Sequence, residues 1–175
     1  MELRTGGAVA NGRGHPPREG GGRKMKIKML AGSGDRIGLF VLPFLVIGLA
    51  LNVLLPSLFS VGGPPLALGL VSAIVLVPGV AIWLWSALLI LTRVPRGELI
   101  TGGPFALVKH PLYTAVALLV LPWIGFLLDT WLGVVLGGVL YVASRLFAPE
   151  EEKTLSKTFG RAWDEYCRKV KIGWL

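Results

Sequence analysis

Two stretches of this chain hold residues able to do chemistry. In Leu99–Val120 (LITGGPFALVKHPLYTAVALLV), Lys109, His110 and Tyr113 stand where a glycine-bearing polar loop becomes an apolar run. Glu150, Glu151 and Glu152 follow the last apolar run, with Arg145 shortly before them. Ionisable groups at the edge of hydrocarbon are costly and commonly functional. The plain alternative is that Lys109 and His110 are anchors that snorkel to headgroups. The inventory excludes some chemistries. Cys167 is the one cysteine, so no internal disulfide forms, and its charged neighbours suit an ordinary thiol. The histidines are His15 and His110, so His and Cys assemble no zinc set and no metal is expected. No phosphate-binding glycine loop and no hydrolase-like nucleophile–base pair is visible.

The elements that position these residues are apolar helices. The chain has 175 residues, 53% of them hydrophobic and 16% charged. Its apolar residues are bunched into long runs, which argues for membrane helices. Net charge is +8. The basic residues flank apolar runs and form no aromatic–basic face, so no nucleic-acid partner is expected. Residues 1–35, rich in Gly, Arg and Pro, read as a disordered basic tail, and 36–175 as a single membrane domain. The fold class is all-α: an integral membrane helical bundle of four transmembrane helices plus a C-terminal amphipathic helix. Spans are expected at about 37–55, 66–91, 111–128 and 131–147, each near the length that crosses ~30 Å of hydrocarbon. Pro78-Gly79 interrupts the second, read as one tilted or kinked helix. Asn52 reads as an interhelical hydrogen-bonding residue, and Trp83 and Trp85 as an aromatic belt or the wall of a lipid groove. Gly133 and Gly137, one turn apart, admit a close neighbouring helix.

The cytoplasmic helix is expected over about 150–170. Leu155, Phe159, Ala162, Tyr166 and Val170 share one face, so it docks on the bundle or the membrane surface. Four spans put the tail, the 92–109 loop and the C-terminus on one side, with every Lys and Arg. The other side holds Asp129 alone. The charge bias makes this a multi-pass integral membrane protein with both termini cytoplasmic. The short turn at Asp129-Thr130 pairs the last two spans as a hairpin and brings their cytoplasmic ends together. Lys109, His110, Tyr113, Arg145, Glu151 and Glu152 then converge on one cytoplasmic pocket.

Two blocks carry a resemblance. One is Gly103-Pro104-Phe105 followed by Lys109-His110-Pro111-Leu112-Tyr113. The other is Glu151-Glu152, Leu155, Phe159-Gly160, Trp163 and Tyr166. Together they resemble the isoprenylcysteine carboxyl methyltransferase and phospholipid N-methyltransferase superfamily of integral membrane methyltransferases, over roughly the C-terminal half. Lys109 stands where that family usually has Arg, and Trp163 where it usually has Tyr. The resemblance implies S-adenosyl-L-methionine as cofactor, with Gly103, His110, Tyr113, Glu151 and Glu152 as its contacts.

The residues themselves suit the same ligand. Cations or backbone N–H groups take its carboxylate, a glutamate its amino group, and an apolar slot its adenine. Lys109, supported by Arg145, is expected to orient the methyl acceptor, a lipophilic or small carboxyl, thiol or amine compound reached from the bilayer. Methyl transfer asks the protein mainly to align the nucleophile and exclude water. An amine acceptor also needs a base, for which a carboxylate or His110 serves. Two alternatives stand beside this reading. One is an NADPH-dependent membrane reductase of sterol-reductase-like fold. The other is a non-catalytic membrane protein of the same fold, to which Lys109 in place of Arg points.

Overall fold

A computed structural model describes residues 34–63 and 66–173, so the tail expected over 1–35 lies almost wholly outside the described residues. The described chain is all-helical, without strands. Helix α1 is Gly34–Leu54, α2 is the single turn Pro56–Phe59, and α3 is Leu66–Arg93. Helix α4 (Pro111–Ala115) passes through a π-helical turn, Val116–Val120, into α5 (Leu121–Leu127). Helix α6 is Leu132–Phe159 and α7 is Arg161–Lys169. Helices α1, α3 and α6 are long and apolar enough to cross a membrane, and Pro111–Leu127 forms a shorter apolar helix. Apolar side chains point outward from them: Val53 is 77% exposed, Leu66 81% and Ile74 70%. Faces of that kind need lipid to cover them.

The helices pack around α4–α5, which lies between α3 and α6, while α1 rests on α6. Small residues set the approach. A Cβ on Gly79 would lie 2.7 Å from the Leu119 side chain, and one on Gly133 would lie 2.8 Å from Gly125 Cα. Gly137 faces the Ala117 carbonyl as closely. This is the backbone contact that the Gly133–Gly137 spacing implies. The π turn ends against Pro122 in the first turn of α5. Proline cannot donate to the preceding turn and its ring crowds it, which a wider turn relieves. Asn52 takes the expected role: Thr130 Oγ1 donates to its Oδ1 at 2.7 Å, tying α1 to the turn before α6.

Two expected boundaries differ. The last apolar helix does not end at 147 but continues through Pro149 to Phe159. An internal proline removes one backbone donor and frees one carbonyl, and a helix at the water boundary tolerates that loss. The helix expected over 150–170 is instead divided at Gly160, whose φ of +52° ends α6 and starts α7. The positive φ favours a residue without Cβ.

At the end away from the glutamates, Asp129 fastens two connections. Its carboxylate accepts from Ser60 Oγ at 2.8 Å and from the amides of Val61 at 3.1 Å and Gly63 at 2.9 Å. These bonds hold a residue with φ of +54°, an unusual value outside glycine. The Ser60 hydroxyl first, then the Gly63 and Val61 amides, keep its carboxyl below the ordinary range. A carboxyl lowered by folding stabilises above its unfolded pKa of about 3.9, and that contribution fades as pH falls through the lower folded value. Asp129→Asn is therefore expected to melt below wild type at pH 7 in detergent. Wild type then loses more stability than the variant on acidification below about pH 4. Parallel acid profiles would refute the latch.

Candidate functional site

The ends of α4, α6 and α7 and the loop between α3 and α4 enclose a cavity of about 300 Å³. The loop is shaped by two 3-10 turns, Val94–Arg96 and Gly103–Ala106. It is fastened from outside by the chain end. Ile172 N–H donates to Leu107 O at 2.9 Å, and Val108 and Ile172 form an isolated parallel bridge. Helix α7 contributes Trp163 and Tyr166, buried with Val170 against Leu99, Leu155 and Phe159. The Tyr166 hydroxyl donates to Phe105 O at 2.9 Å, joining α7 to the loop. Burial pushes the Tyr166 phenol far above its ordinary value.

Most of the cavity wall is apolar, built from residues such as Ile90, Leu99, Phe105, Leu155 and Trp163. Its polar side chains are those of Glu98, Lys109, His110, Tyr113, Glu151 and Tyr166. His110 precedes Pro111, which opens α4 as a first-turn proline does. Beside this wall, Glu152 gathers two of the predicted residues. Lys109 Nζ lies 3.3 Å from Glu152 Oε1 and 3.2 Å from Oε2, and His110 Nε2 lies 3.3 Å from Oε1. The side chains are partly buried, 17% exposed for Lys109 and 31% for Glu152. The His110 hydrogen bond chiefly, with Lys109 behind it, holds the Glu152 carboxyl below the usual range against the opposing effect of burial. Glu152 lies past Ala148, beyond the apolar part of α6.

The structure thus brings Lys109, His110, Tyr113, Glu151 and Glu152 together. It does not bring in the other two predicted residues. Arg145 is exposed and is not among the residues lining the cavity. The face of α6 turned inward carries buried Ser144 and Ala148, then Glu151, Leu155 and Phe159 at the cavity. Arg145 is one residue, about 100° of helix, away from Ser144. Gly103 also lies outside the lining. With φ of +64° it packs over α3, where a Cβ would meet the Trp85 ring at 3.1 Å and Leu89 at 3.3 Å. Trp85 accordingly supports the loop from beneath. Glu98, Phe105 and Tyr166 were missed as wall residues. The face predicted from Leu155, Phe159, Ala162, Tyr166 and Val170 includes Tyr166, but Ala162 is exposed and Trp163 is buried in its place.

The arrangement can bind an apolar ring system against the wall, hold a charged group at the Lys109–His110–Glu152 cluster, and move a proton through an imidazole. Among the described residues no group of His, Cys, Asp and Glu is placed to hold a metal ion. Comparison with known proteins returns no match, whether against family models, curated proteins or solved structures.

Proposed function

We propose that this chain is an integral membrane methyltransferase that uses S-adenosyl-L-methionine and acts on a lipophilic or small acceptor at the cytoplasmic face. The observation that carries the reading is the Glu152 carboxylate joined to Lys109 and His110 beside an apolar cavity. The resemblance of the Lys-His-Pro-x-Tyr and Glu-Glu-x-x-Leu-x-x-x-Phe-Gly blocks to membrane methyltransferases supports it. In this reading Pro111–Leu127 and the apolar part of α6 form the third and fourth spans, and α7 is the amphipathic helix docked at the surface. The positive charge bias of the Lys109 side supports reading both termini as cytoplasmic.

The donor set fits the cofactor. Apolar wall residues suit adenine, Glu151 suits an α-amino group, and Lys109 offers N–H donors to a carboxylate. Tyr113, His110 and Glu152 complete the set, and Gly103 acts by turning the loop over Trp85. The bound cofactor supplies an electrophilic methyl group on sulfonium. The chain's own part is to align the acceptor and keep water away. Binding tests the reading: purified protein is expected to take up S-adenosylmethionine and not NADPH. Uptake of NADPH alone would instead favour a membrane reductase.

A further inference from the structure

We propose that the end of the bundle carrying Lys109 binds anionic phospholipid, whose phosphates are held by arginines at the ends of three apolar helices. Arg36 lies in the first turn of α1, Arg93 in the last turn of α3, and Arg145 on α6 three residues before Ala148. All three are exposed. Each stands beside a leucine that faces outward from the same helix: Leu39 is 72% exposed, Leu91 62% and Leu146 60%. Those leucines need hydrocarbon to cover them. The guanidiniums beside them therefore lie where hydrocarbon ends, at the level of the lipid phosphates.

Arginine suits this ligand. Its planar fork gives two parallel N–H bonds to one phosphate. Arg36 pairs with Glu150, and Arg93 lies 4.0 Å from Glu98. All four side chains are about half exposed or more. Ion pairs so exposed hold weakly and yield to a lipid phosphate.

Charge decides the class of partner. At this end the described residues hold eleven Lys and Arg against seven Asp and Glu. Residues 1–33 add seven against two, and Arg23, Lys24, Lys26 and Lys28 come shortly before α1. That segment therefore meets a protein surface of its own sign and gains no net attraction from it. An anionic membrane attracts both, and each basic side chain near it favours binding by about five-fold. A nucleic acid is also anionic, but it cannot approach guanidiniums set among leucines that lipid covers.

The test uses full-length protein in phosphatidylcholine bilayers at 0.15 M salt, with a trace of spin-labelled phosphatidylglycerol or spin-labelled phosphatidylcholine. Electron spin resonance measures how much of each label is held at the protein surface. Phosphatidylglycerol is expected to be preferred about five-fold, falling below about two-fold in 1 M salt. The combined variant Arg36→Gln, Arg93→Gln and Arg145→Gln is expected to lose most of the preference. Lys153→Gln, Lys157→Gln and Arg161→Gln together remove the same charge, beginning about 12 Å farther along α6. They are expected to change the preference less than about 1.5-fold, because screening at this salt acts within about 8 Å. Equal association of the two lipids with wild type overturns the proposal. So does a preference that the arginine variant retains. The wild-type comparison stands even if that variant does not fold. Neither cofactor nor methyl acceptor enters the measurement, so its outcome is independent of the methyltransferase reading.

Discussion

Glu152→Gln is expected to weaken S-adenosylmethionine binding by about 10- to 100-fold, the worth of one charge-assisted hydrogen bond of about 1.5–3 kcal/mol. Lys109 and His110 both meet this carboxylate, and Glu152 carries the negative charge that faces them. The amide keeps the volume and the helix propensity of the site. It removes the charge, leaving the mostly buried Lys109 ammonium without the partner that fixes its position. The ammonium and imidazole then lose the geometry in which the cofactor meets them. Glu150→Gln is the control. Glu150 pairs with Arg36 at an exposed position, where an ion pair contributes little, and it does not line the cavity. Calorimetry on the two variants checks the difference. Equal affinity in Glu152→Gln and wild type would remove Glu152 from the site.

Gly133→Ala is expected to destabilise the bundle by about 3 kcal/mol, at the upper end of the range for overpacking a tight interface. Its Cβ would lie 2.8 Å from Gly125 Cα and still closer to the Leu121 carbonyl, which are backbone atoms that no rotamer change can move. The α5–α6 contact must open, and with it the hairpin that sets His110 beside Glu152. Gly138→Ala is expected to have the opposite sign. A Cβ there meets nothing within 4 Å, and alanine restricts the unfolded chain, worth about 0.4–1 kcal/mol in favour of folding. Unfolding of both variants in mixed micelles with increasing dodecyl sulfate measures the pair. Equal stabilities would contradict the close backbone packing.

Several of these features were legible before any coordinates. Apolar runs predict helices because a backbone in hydrocarbon has to satisfy itself. The short Asp129-Thr130 turn predicts an antiparallel pair, and that pair carries Lys109 and His110 to Glu152. Gly133 and Gly137 predict close packing because they are one turn apart. The features that stayed hidden depend on tertiary contact. Pro149 reads as a stop, yet α6 continues, because the loss of one backbone bond is small beside the continuous packing of Ala148, Leu155 and Phe159. Arg145 stands seven residues before Glu152, a spacing that predicts a shared helix face. The inward face, however, is set by Ser144, Ala148 and Glu151, a choice that only the neighbours of α6 determine. Trp85 beneath Gly103, Ile172 pairing with Leu107, and the Asp129 latch join residues far apart in the chain. No spacing rule reaches them.

The measurement closest to the central claim is calorimetric titration of the detergent-purified full-length protein with S-adenosylmethionine and, separately, with NADPH. One saturable site for S-adenosylmethionine, with no binding heat from NADPH, is the predicted result. Saturable binding of NADPH without binding of S-adenosylmethionine would contradict the account.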